Sequence, residues 1–198
     1  MQFSIRRMGP SPLLKDVTVA VGDFTGKIML MVGSTGTVIC GRMGLVTLDI
    51  RLAHGGSLMI GDKTTVNNAR IIVVNSTVLI KQDAMLSDEI LIQGFDRHGI
   101  IDLASGNFIN LGKDSVVVGK HAWIGRRVTL MPGSVIGNGA IVGACAVVTT
   151  EVPDCTVAAG VPARILRENV SWSRSWTSID PDALQFLQEI DAPFLRES

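Results

Sequence analysis

The side chains of this 198-residue chain that could exchange a proton or attack a carbonyl near neutral pH are few: His54, His98, His121 and the thiols Cys40, Cys145 and Cys155. The cysteines are odd in number and include no C-x-x-C pair, so they read as reduced, largely buried thiols of a cytosolic protein. His98 lies in MLSDEILIQGFDRHGIID, where a regular pattern gives way to an aperiodic stretch. A histidine at such a break is placed to act as a general base. Asp96 stands two residues before it and Asp102 four after, and either could orient the imidazole. His121, in GKHAWIG, reads as a surface residue, and His54, before Gly55-Gly56, as a turn or packing residue.

The elements that must hold these groups repeat every six residues. From Val118 the chain divides into VGKHAW, IGRRVT, LMPGSV, IGNGAI, VGACAV and VTTEVP. The first position of each hexad is aliphatic (Val118, Ile124, Leu130, Ile136, Val142, Val148) and the second mostly glycine. The fifth is small or β-branched (Ala122, Val128, Ser134, Ala140, Ala146, Val152). A helix repeats apolar residues every three to four positions and a half-buried strand every two. A period of six belongs to a parallel β-helix, each hexad forming one flat side of a coil. The aliphatic residue stacks on its counterpart one coil below, and the glycine is expected to turn a tight corner at dihedrals other residues avoid.

A looser register runs through Leu48, His54, Ile60, Val66, Ile72, Val78, Ala84 and Ile90. Ile90 and Val118 are 28 positions apart, which six does not divide. The remainder predicts an extruded loop of 10 or 16 residues within about 96–114, apolar enough to pack on a neighbouring surface. Residues 1–47 read as irregular strands capping the stack, 48–168 as the β-helix, and 169–198 as a helical tail. In that tail Trp172 and Trp176 would share a helical face. Asp180 and Pro181 would cap a helix docking through Leu184, Phe186, Leu187 and Ile190.

The hexads, with the closing phrase AAGVPARILR, resemble the hexapeptide-repeat acyltransferases. The resemblance implies an all-β fold: a left-handed parallel β-helix of triangular coils with an extruded loop and a C-terminal helix. It also implies transfer of an acetyl group from acetyl-CoA to a hydroxyl. The O-acetyltransferases of this family that modify capsule and polysialic acid chains have a phrase similar to Asp96-x-His98-x-Ile100, and its histidine is the catalytic base. Asp96 would then orient the imidazole or hold the acceptor sugar. Trp123, in W-I-G, would sit near the thioester, its backbone N–H serving the oxyanion and its ring walling the pantetheine channel. CoA would lie along the last coils, with Ala140, Gly143 and Ala144 leaving room for it and Arg164 and Arg167 meeting phosphate. Thr150 stands where the family usually has lysine, and GACAVVTTE departs from the family's GAGSVV-TKD at Cys145 and Ala146, which puts one phosphate contact in doubt. Cys145 reads as a packed corner thiol rather than an acyl carrier.

The acceptor implied is a sugar or polysaccharide: a capsular, exopolysaccharide or lipopolysaccharide precursor. A homotrimer with sites between subunits is implied as well. N-acylation of an amino sugar nucleotide and a non-catalytic scaffold are the alternatives. A γ-carbonic-anhydrase-like metal site does not match, because the histidines lie 44 and 23 positions apart, so no metal is expected. With 18 acidic and 18 basic residues, bulk electrostatics favour no nucleic-acid surface. No apolar run of about 20 residues suggests a membrane span, and MQFSIRRMGP lacks a signal peptide's apolar segment, so a cytoplasmic protein is expected.

Overall fold

The computed structural model describes residues 1–9, 16–112 and 115–196. Apart from the tail, it is a left-handed parallel β-helix whose coils have three faces. The third face is one parallel sheet: Val17–Val21, Gly36–Cys40, Gly56–Ile60, Thr77–Ile80, Ser115–Val118, Val135–Ile136 and Glu151–Val152. The other two faces form one continuous sheet because long lower strands round the corner between them. Thr65–Val74, for example, pairs with Met85–Leu86 on the first face and with Ile90–Gln93 on the second. Among the described residues no helix is long and apolar enough to cross a membrane.

Inward residues stack in three columns, hexad by hexad from Val118 to Val148 and then two positions early at Val152 and Ala158. Ile80, Val118, Ile136 and Val152 form one column, Leu86, Ile124, Val142 and Ala158 a second, and Ile92, Leu130 and Val148 a third. None is more than 3% exposed, and each Val, Leu or Ile among them contributes about 1.5–3 kcal/mol of burial. In the strict run Val118 faces Ile136, 18 positions on. Lower in the stack Val38 faces Leu58 and Leu58 faces Val78, a spacing of 20. Those longer sides alternate like ordinary strands, so the looser hexad register fails there: His54 is exposed and Ile72 half-buried.

The glycines behave differently from expectation. Gly119, Gly125, Gly137 and Gly143 do not have positive φ. They are required by close stacking: a Cβ on Gly119 would lie 2.5 Å from the Gly137 carbonyl, and one on Gly137 2.3 Å from the Asp154 nitrogen. The left-handed residue is the fourth of each hexad, here His121, Arg127, Gly133, Gly139 and Cys145.

Ile80 faces Val118 across 38 positions rather than 18, so 20 residues leave the coil. The last inward residue before it is Ile92, beneath Leu130, and not Ile90; of the 26 positions from Ile92 to Val118 only one hexad stays in the coil, so the excursion exceeds the expected 10 or 16. It folds as a hairpin closed by an Ile101–Phe108 antiparallel bridge.

At the far end Arg164–Arg167 turns back antiparallel to Val157–Ala159. The helix Pro181–Glu189 follows, its first turn capped by Asp180, whose carboxylate accepts from the Asp182 and Ala183 nitrogens. The tryptophans share no helical face, because 172–176 is not helical: Trp172 is buried and Trp176 is 97% exposed. The helix docks through Ala183 and Phe186, leaving Leu184 and Ile190 partly exposed.

Candidate active site

The hairpin that carries His98 leaves the stack after Gln93, at the end of the second face, and returns at Ser115 on the third. Its tip is tied by Asp102, whose carboxylate accepts from the Ala104 nitrogen (3.1 Å), the Ser105 nitrogen (2.7 Å) and the Ser105 hydroxyl (2.7 Å). The Ser105 contacts hold the Asp102 carboxyl below its ordinary value. That carboxylate serves the turn and makes no hydrogen bond to His98. At the root the Asn110 amide donates to Asp96 Oδ2 at 3.3 Å and to the His98 carbonyl at 2.9 Å. The His98 side chain is exposed.

Trp123 opens the first face, in a column of outward side chains with Met85 below it and Ile141 and Val157 above. Arg167 pairs with Val157 on the reversed strand. At about 4.8 Å per rung, Trp123 and Arg167 are about 14 Å apart along this face. The Trp123 backbone N–H donates to the Ala140 carbonyl at 2.9 Å. It is spent in the ladder, so the expectation that it serves an oxyanion is corrected. The indole Nε1 donates to Ser87 Oγ at 3.4 Å. The hairpin of His98 thus leaves the stack between the second and third faces, while Trp123 stands on the first.

Of the residues expected along a CoA path, Ala140 is wholly buried at an inward corner, so it lines the core and not a channel. Gly143 is half-buried and Ala144 exposed. Thr150 and Arg164 border one shallow depression with Val148, Ala158 and Ile165. Arg164 and Arg167 are exposed. Neither guanidinium has a carboxylate partner among the described residues, which suits both to a phosphate.

Among the other titratable groups, His121 and Cys145 depart from expectation. His121 is wholly buried, not on the surface. Its Nδ1 lies 2.6 Å from Asp83 Oδ2 and its Nε2 3.0 Å from the Trp172 carbonyl. The ring stacks on Trp172 at 4.5 Å and on Phe186 at 4.7 Å. Arg174 donates to the other Asp83 oxygen at 2.8 Å. Burial alone would raise the Asp83 carboxyl, yet the bonds from His121 and Arg174 hold it below the ordinary carboxylate range. Local sequence gave no sign of this, because the covering aromatic comes from 51 positions away. Among the thiols only Cys40 is buried, which pushes it up to about 12. Cys145 is exposed rather than packed, and Cys155 half-buried. His54 is an exposed turn residue at φ 51°. No group of three or more His, Cys, Asp or Glu side chains among the described residues could hold a metal.

Residues 115–150 match the family described as bacterial transferase hexapeptide (six repeats). A polysialic acid O-acetyltransferase of Escherichia coli O1:K1 / APEC is 34% identical over 128 residues, covering 64% of this chain and 41% of the relative. A putative lipopolysaccharide biosynthesis O-acetyl transferase of Escherichia coli K12, WbbJ, is 33% identical over 129 residues, 61% of this chain and 65% of the relative. The chain thus spans less than two thirds of the length of either. Among solved structures, the polysialic acid O-acetyltransferase OatWY is 25% identical with a TM-score of 0.73, over 93% of this chain and 99% of that one. The polySia specific acetyltransferase NeuO superimposes with a TM-score of 0.76 at 24% identity, over 95% and 98%. The chain has the left-handed β-helix fold and carries a hexapeptide-repeat stretch within it. It is similar, in sequence and in fold, to the polysaccharide O-acetyltransferases.

Proposed function

We propose that the protein transfers an acetyl group from acetyl-CoA to a hydroxyl of a sugar or polysaccharide, with His98 as general base. The observation that carries this is the hairpin, an excursion from the stack that is closed by an antiparallel bridge and presents an exposed imidazole. His98 takes the proton of the acceptor hydroxyl as its oxygen attacks the thioester carbonyl. The tetrahedral intermediate collapses by expelling the CoA thiolate, which recovers the proton from the imidazolium. The products are an ester and free CoA. The relatives' polysialic acid and lipopolysaccharide acceptors support a glycan. Thr150, Arg164 and Arg167 are the side chains suited to the CoA phosphates, with Trp123 walling its arm.

Sites of this kind need a second chain. Ile100, Ile101, Leu103, Phe108, Ile109 and Leu111 on the hairpin are each more than half exposed, although the hairpin was expected to pack on a surface. A neighbouring chain in a homotrimer would cover them and bring its Trp123 toward His98.

Thiol release from acetyl-CoA, measured with sialic acid oligomers and a panel of sugars, tests the reaction. The native chain is expected to turn over at least one acceptor, and His98→Ala to lose about 100-fold or more in kcat. Release that survives the substitution would mean that another group is the base.

A further inference from the structure

We propose that Asn110 is the positioning residue for His98, an inference that rests on the reaction proposed above. Among the described residues the His98 imidazole makes no hydrogen bond, so nothing tethers its ring directly. Its aim must come from the backbone that carries it, and Asn110 holds that backbone from both sides. Asn110 Oδ1 accepts from the Ile100 nitrogen at 2.9 Å, and Nδ2 donates to the His98 carbonyl at 2.9 Å. The same Nδ2 reaches Asp96 Oδ2 at 3.3 Å. One amide thereby fixes the peptide groups flanking Gly99 and ties the Asp96 carboxylate to them.

The chemistry selects an amide. A peptide N–H on one side and a peptide carbonyl on the other demand an acceptor and a donor in one planar group. Aspartate is isosteric but donates nothing, and its charge would face Asp96. Alanine makes none of the three bonds.

The surroundings make the clamp rigid. Gly99 passes so closely beneath Phe108 that a Cβ there would lie 2.4 Å from the ring. The Ile109 nitrogen donates to the Ile100 carbonyl at 2.9 Å, and the Asp102 nitrogen to the Asn107 carbonyl at 2.8 Å. Asn110 follows the last rung of this ladder, so its bonds set the angle at which the hairpin presents His98. Asp96, bonded to Asn110 and not to the imidazole, belongs to this clamp.

The test compares native chain, Asn110→Ala, Asn110→Asp and His98→Ala by thiol release from acetyl-CoA with the acceptor that the native chain turns over best. Displacing a reacting group by about 1 Å can cost about 100-fold. Both Asn110 variants are therefore expected to lose about 10- to 100-fold in kcat, with KM for acetyl-CoA within about twofold of native and an unchanged Tm. A role in folding alone would lower Tm, and a role in donor binding would raise KM; either result overturns the proposal. If both variants stay within about twofold of native kcat while His98→Ala is dead, the positioning role is wrong and the reaction stands. If His98→Ala keeps its activity, the reading of His98 fails first.

Discussion

His121 is set between two acceptors, the Asp83 carboxylate and the Trp172 carbonyl. The ring rests between two aromatic faces, those of Trp172 and Phe186. Breaking the buried pair of His121 and Asp83 costs about 3 kcal/mol or more. Asp83→Asn is expected to lower the urea midpoint accordingly at unchanged slope. Acid should act on the same contacts. Burial alone would raise Asp180, but bonds from the Ser173 hydroxyl and the Ala183, Arg174 and Asp182 nitrogens bring it down to about 2. Asp83 is likewise lowered. A carboxylate depressed in the folded state contributes stability that is present above its unfolded value, about 3.9, and lost as pH falls through the folded one. Tail docking should therefore hold from neutrality to about pH 4 and fade toward about pH 2, read as rising acrylamide quenching of Trp172. A transition centred near pH 6 to 7 would contradict it. At this scale the place of His98, beside a break in the period, was legible. Asn110 was not, because its partners lie 10 to 14 positions back and share no motif with it.

In the coils, backbone conformation and packing make separate demands on neighbouring positions of a hexad. At Gly119, Gly125 and Gly137 the second must be glycine because the backbone of the next coil leaves no room for a Cβ, while the fourth bends left-handed at His121, Arg127 and Cys145 as well as at glycine. Gly119→Ala is expected to destabilise by about 2 kcal/mol or more, because backbone rather than a yielding side chain opposes the methyl. Cys145→Gly is expected to stabilise by up to about 1 kcal/mol, since relief of a left-handed penalty of about 1–2 kcal/mol outweighs glycine's added chain entropy. Thermal unfolding of the two variants checks both signs. The period of six could be read from Val118 to Val148 because each side there is one hexad. Below Ile80 it could not, since sides lengthen until 20 residues make a coil and the apolar pattern becomes that of plain strands.

Across the whole molecule, a stack of coils gains its stability rung by rung, each holding its neighbours alone. The tail departs from that scheme. Asp182 pairs with Lys63 at 2.7 Å, Arg174 reaches Asp83, Trp172 caps His121, and Phe186 lies against Gly139, four residues on successive coils. A chain ended after Arg167 should keep its parallel-sheet circular dichroism while losing several degrees of Tm, because it uncovers a buried ion pair. Sequence marked the tail's helix by Asp180-Pro181, but its landing place depends on partners about 50 to 120 positions earlier, beyond the reach of any local pattern.

A strap laid across four storeys changes how such a tower comes apart. Left to themselves, the storeys would peel one after another from whichever end loosened first. Fastened on the outside, the middle ones have to let go together, so amide exchange there should proceed as a single slow block. The lowest strand, Gln2–Arg7, lies outside the strap and should trade its protons sooner.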